Sequence, residues 1–203
     1  MRHILLPLLL IITSSVSPHT PHSSLLEANQ SGVDVMKCTK SVRYHFFDVT
    51  GSTKEEVRQS ILEKGPTDKD GKIRYAYASW KLEWDWPKSI AGGHDFEGVS
   101  VRCSADIFLP RYRPLADTSP ELVKEIDEKL GEVRAHELRH VQHAVAGAFQ
   151  IRDKVVDAAR RGTLKNERDA NRIAFSVLNR IRQFDTNYDQ MTEFGKREGI
   201  WIQ

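Results

Sequence analysis

The chain lacks any large excess of charge of one sign. Thirty lysines and arginines face 28 aspartates and glutamates, a formal net charge of +2. That balance gives no electrostatic case for nucleic acid as a partner. After the first dozen residues no apolar run is long enough to span a bilayer, so no membrane is expected as a partner of the mature chain. There is no internal repeat and no low-complexity tract beyond the leader. Cysteine is scarce: Cys38 and Cys103 are the only two in 203 residues.

The one long apolar run stands at the front. Arg2 and His3 precede Ile4 to Ile12, and small residues follow. This is the pattern of a cleaved secretory signal, too short for a spanning helix. Residues 1–24 are therefore expected to be signal peptide and flexible lead-in, with cleavage between 14 and 24, and residues 35–203 a single domain. The mature protein is expected to be secreted or periplasmic. In an exported chain an even pair of cysteines reads as a disulfide. A Cys38–Cys103 bridge would close a long loop and add about 4 kcal/mol in the chain-entropy model.

The first half alternates elements. "VRYHFFDV" (42–49) is β-branched and aromatic, as strands are. "GSTKEEVRQSILEKGP" (51–66) opens on a capping box, Ser52 followed by Glu55, and carries Val57, Ile61 and Leu62 on one face of a helix. "IRYAYASWKLEWDW" (73–86) and "VSVRCSADIFLP" (99–110) read as further strands. The second half is helical. Ser119 caps a helix whose stripe runs Leu122, Ile126, Leu130, Val133, Glu137, Val141, Val145. A second helix covers about Asn166 to Tyr188, with Gly162 in the turn between them. Trp80, Trp84 and Trp86 suit a core or strand surface better than a groove.

"AHELRHVQHA" (135–144) carries the chemistry. His136 and His140 lie one turn apart, so both imidazoles can aim at one ion. Catalytic zinc takes three protein ligands and leaves a position for water. Glu137, beside the pair, can take a proton from the water that zinc activates and pass it to a leaving amine. The motif lies on the apolar face of a strong helix, where charge without a partner is costly. His143 shares that face but stands roughly 10 Å along the axis from His136, too far for both to hold one tetrahedral ion, so it reads as an outer-shell or rim residue. Neither the glycine nor the third histidine of the long metzincin pattern is present, since His143 and Ala146 occupy those positions. For the third ligand, straight antiparallel helices turning near Gly162 return Asp185, Tyr188 and Asp189 to the level of the motif. A break at Gly147 would bring Glu167 there instead. Asp189 is preferred.

These residues resemble a family of exported bacterial proteins, domain of unknown function 922, regarded as secreted zinc-dependent proteases. "YHFFDVTGSTKEEV" with "KGP" is similar to its opening block. "AYASWKLEW", Cys103 and "FLP" are similar to its central strands, "AHELRH" to its helix motif and "NYDQMTEFG" to its closing Tyr-Asp-x-x-Thr-x-His-Gly. The likeness runs over nearly the whole mature chain. It implies an α+β, zincin-like fold, with an N-terminal strand-helix-strand-strand unit packed on the helical pair that carries HExxH. It also implies a zinc metallopeptidase: Zn2+ on His136 and His140, Glu137 as base, and Tyr188, Asp189, Thr192 and Gly195 singled out. Phe194 stands where the pattern has histidine. If that histidine were the third ligand, Asp189, Glu193 or His143 would have to substitute. Tyr188 is a candidate to polarise the oxyanion. A peptide or protein substrate would pair with an exposed edge strand, for which "VSVRCSADIFLP" is the candidate. The alternative is a catalytically decayed scaffold serving as an exported binding module.

Overall fold

The structure is a computed structural model that describes residues 38–68 and 71–200. The expected signal peptide and lead-in (1–24) lie outside the described residues. The elements follow the order β1 (Cys38–Val49), α1 (Lys54–Lys64), β2 (Tyr77–Asp85), β3 (Ser100–Tyr112), α2 (Pro120–Arg160) and α3 (Glu167–Thr192), then a 3-10 turn at Lys196–Glu198. This is the expected α+β class, with three strands and three helices.

Boundaries moved for identifiable reasons. β1 begins four residues before its aromatic run, because it pairs with β3 from Cys38↔Val101 to Val49↔Tyr112. The cap of α1 is Thr53, one residue later than expected, and its hydroxyl accepts from Glu56 N. The Glu56 carboxylate in turn accepts from Ser52 N at 2.7 Å, so the capping box is real but shifted by one.

The sheet order is β1-β3-β2, with β1 parallel and β2 antiparallel to β3. β3 is the central strand, not an edge open to a peptide. Both of its ladders are used, and Val101, Cys103, Ala105, Ile107 and Leu109 alternate into the core. Its strict alternation suits a strand with one face against helices. Among the described residues the free edges belong to β1 and β2. On the outer face Asp106 accepts from Arg43 Nε at 2.9 Å and lies 2.7 Å from His45 Nε2.

The other face carries the helical hairpin. Ser119 caps α2, accepting from Leu122 N at 3.2 Å, and Pro120 occupies its first turn. Asn166 caps α3 through Asp169 N at 3.1 Å. One core cluster joins Val101 and Cys103 to Ala148, Ile151 and Val155 of α2 and to Ala174 and Val177 of α3. A second joins Ile107 and Leu109 to α1 and to Ile126, Val133 and Val141 of α2. α2 runs unbroken through Gly147. A Cβ there would meet Ile181 Cγ1 at 2.8 Å, so the glycine serves close helix approach and not a bend.

The expected disulfide is absent: both cysteines are free. Cys38 pairs with Val101, whereas Cys103 pairs with Lys40. The thiols share a face but are two residues out of register. That offset plus the strand spacing puts the Cα atoms about 8 Å apart, beyond bridging distance. Burial pushes the Cys103 thiol up to about 11. Trp86 is buried in the core. Trp80 and Trp84 pack against the same cluster and tie β2 to α3, donating to Asp185 at 2.6 Å and to Asn171 at 2.7 Å.

Candidate metal centre

His136, Glu137 and His140 are buried in the middle of α2. α3 returns antiparallel and brings Asp189 opposite them. Asp189 Oδ1 lies 3.3 Å from His136 Nε2 and 3.1 Å from His140 Nε2. Donors bound at about 2.0–2.2 Å to a tetrahedral ion are separated by about 3.3–3.5 Å. The two edges to Asp189 are therefore close to an ion's coordination edges, and the three residues form a group that could hold one. Two imidazole nitrogens and a carboxylate oxygen make a donor set suited to zinc.

Each ring nitrogen that faces away has its own carboxylate. His136 Nδ1 lies 2.7 Å from Glu198 Oε2. His140 Nδ1 lies 3.3 Å from Asp185 Oδ1. Such partners fix ring orientation and direct the other nitrogen toward a metal. Asp185 is itself held by Trp80 Nε1 and by His143 Nδ1, at 2.6 Å each. Glu198 accepts from Tyr188 Oη at 2.8 Å. The arrangement is layered: three convergent donors, two carboxylates behind them, and an indole and a phenol behind those.

The electrostatics follow. Burial pulls both histidines toward the neutral form, but the carboxylates outweigh it. His136 is raised by Asp189 and Glu198, and His140 is pushed up to about 10 by Asp185 and Asp189. Burial raises Asp189, yet the two imidazoles hold it well below the usual carboxylate range. Glu137 goes the other way. Its burial raises it, against a smaller lowering from His140, His136 and a backbone hydrogen bond at Ala78.

A cleft of about 300 Å³ opens on this group, and the backbone leading into β2 forms one wall. Ala76 and Ala78 line it, with Val133, Phe194 and Ile200. The remaining expected residues sit as follows. Tyr188 stacks on His136 at 4.9 Å between centroids and points its hydroxyl at Glu198. Thr192 donates to Tyr188 O at 2.9 Å, and its hydroxyl accepts from Gly195 N at 3.2 Å. His143 stands behind Asp185, and His140, His143 and Asp185 form a second group able to hold an ion. Glu167, at the start of α3, faces His94 at 3.5 Å. It is 22 residues from Asp189 along one helix, or roughly 33 Å. Glu193 caps α3 and pairs with Arg197 at 2.6 Å. Phe194 lines the cleft, and the group of three that could hold an ion is completed by Asp189 without a donor from position 194.

Glu198 was not foreseen. It comes from a short turn after Gly195, and nothing in a lone Lys-Arg-Glu triplet announces a partner for a buried histidine. The structure marks the segment before it by a strained backbone: Glu193 and Phe194 have φ of 50° and 55°. Non-glycine residues held there often mark functional sites.

A family model described as a bacterial protein of unknown function, DUF922, matches residues 44–195. No curated protein and no solved structure matches the chain.

Proposed function

The chain belongs to the DUF922 family of bacterial proteins of unknown function, and from that premise we propose that it is a zinc-dependent peptidase of the zincin type. One observation carries the reading: Nε2 of His136 and Nε2 of His140 converge on Asp189 Oδ1 at 3.3 and 3.1 Å, with buried Glu137 beside them. A zinc ion held there supplies Lewis acidity, which lowers the pKa of water and polarises a carbonyl.

The chain's own residues do the rest. Glu137 is the base. Burial raises its carboxyl, which moves it toward the range where one group can both accept a proton and give it back. It takes the proton from the attacking water and delivers it to the departing amine. Asp185 and Glu198 keep the two imidazoles aimed. Tyr188, expected as an oxyanion donor, has its hydroxyl on Glu198 and is assigned to holding that carboxylate. An extended peptide lies along the outer edge of β2, whose residue Ala78 and lead-in residue Ala76 border the cleft, and adds to the sheet by backbone pairing. The signal-like N-terminus supports action outside the cytoplasm. Among the described residues no helix is long and apolar enough to cross a membrane.

The test is zinc content after purification, then cleavage of an unfolded protein with and without chelator, alongside Glu137→Gln. About one zinc per chain with chelator-sensitive cleavage supports the peptidase. Zinc with no cleavage of any unfolded substrate favours the rival reading, a binding module on the same scaffold. Absence of metal at neutral pH overturns the proposal.

A further inference from the structure

Among the residues lining the cleft is a guanidinium whose fork is half spent. Arg74 donates through Nε to Asp68 Oδ2 at 2.7 Å, and the Asp68 side chain is only 5% exposed. Asp68 is fixed in turn, accepting from Lys72 N at 2.9 Å. The Arg74 backbone is pinned as well, its N–H donating to Pro66 O at 2.8 Å. The side chain is thus aimed by two anchors, and its guanidinium lies 6.0 Å from the ring centre of Phe194. Among the described residues no acceptor faces its two terminal nitrogens. Arg74, Phe194, Glu137 and Asp189 line the same cleft, and the other carboxylates there are engaged: Asp185 with His143 and Trp80, Asp189 with the motif histidines.

We propose that Arg74 is the floor of a subsite for a substrate carboxylate, so that the favoured substrates are peptides carrying a carboxylate a few residues from the scissile bond. The inference rests on the peptidase reading above and names the substrate class for that site. Two parallel N–H groups in a rigid fork match a carboxylate and give geometry as well as charge. The spacing is set by the chain. Arg74 is four residues before Ala78, whose backbone meets Glu137, a span of at most about 13 Å, or about four residues of an extended peptide. The carboxylate can belong to an acidic side chain or to a free C-terminus, since Arg74 reads only the group.

The experiment uses the full zinc-loaded chain and one peptide in four versions, with or without an acidic side chain and with a free or amidated C-terminus. Versions bearing the recognised carboxylate should be cleaved with about tenfold higher kcat/KM, and the preferred arm identifies the source. Arg74→Gln should erase the preference by raising KM with kcat retained, while Arg74→Lys keeps part of it. Zinc content should not change. Calorimetry with the series succinate to suberate and their monoamides needs no turnover. The diacids should bind the wild-type chain about tenfold more tightly than the monoamides. If no peptide is cleaved but that difference is seen, the peptidase reading fails and the subsite stands. Equal cleavage of the four versions, or equal binding of diacids and monoamides by the wild-type chain, overturns the subsite whether or not the variants fold.

Discussion

Asp189 is ionised because two imidazoles face it, and the imidazoles are raised because three carboxylates face them. Without an ion these groups neutralise one another, which fixes the pH behaviour of the metal-free chain. The folded pKa of His140, about 10, lies above its unfolded value. Its contribution is fully present below about pH 6.5 and is lost as pH rises toward 10. Asp189 is depressed, so its contribution is present above about pH 4 and lost as pH falls below that. Raised Glu137 adds to the loss as pH rises above about 4.3, since its buried charge is unfavourable. The metal-free chain should therefore show its highest Tm near pH 4–6.5 and a falling Tm from pH 6.5 to 10. Zinc needs the rings neutral, so zinc affinity should rise over that same interval. Thermal melts with and without chelator check both directions. Among substitutions, Glu137→Gln should cut cleavage about 10²–10⁴-fold with zinc retained. Asp185→Asn or Glu198→Gln should weaken zinc about 10–100-fold, and Asp189→Asn by more, measured by competition with a chelating dye. His136, Glu137 and His140 were legible because their spacing is a property of the helix. Asp189 was legible only through the assumption of a straight hairpin. Glu198 was not legible, because its place depends on a turn that tertiary packing sets.

The helical hairpin is the element that makes the centre. It returns Asp189 to His136 only if α2 and α3 are straight and close. Ser119 and Asn166 fix where the two helices start, and Gly147 lets α2 approach Ile181 closely. Gly147→Leu should destabilise the fold by about 1–3 kcal/mol through overpacking and lower zinc affinity with it, read as Tm and as metal content. The segment after α3 is the second device. Gly195, at φ 85°, has no room for a Cβ beside Ile200, which is buried. Lys129 Nζ donates to Gly199 O at 2.9 Å. These contacts seat Glu198 behind His136. Ending the chain at Gly195 should therefore weaken zinc at least as much as Glu198→Gln does, about 10–100-fold. Element types and order were readable from periodicity and caps. The strand boundaries and the rank of each strand within the sheet were not, since an alternating strand reads alike at an edge and in the centre until its partners are known.

For the molecule as a whole, the expected staple is replaced by packing. Both thiols are free and two residues out of register, so reductant should leave the Tm unchanged, and a thiol reagent in denaturant should titrate two groups without prior reduction. Stabilisation should come from the ion instead, as binding to the folded form alone raises Tm with free zinc concentration. The sheet supplies a second whole-molecule feature. With β3 in the centre, the strand bordering the cleft is β2, and the proposed peptide would extend the sheet along its outer edge. The measurement that bears most directly on this account is a crystal structure of the chain soaked with zinc, with anomalous data at the zinc edge. The account predicts a single strong peak within about 2.2 Å of His136 Nε2, His140 Nε2 and an Asp189 oxygen. A peak among His140, His143 and Asp185 in its place, or none at that turn of α2, would contradict it.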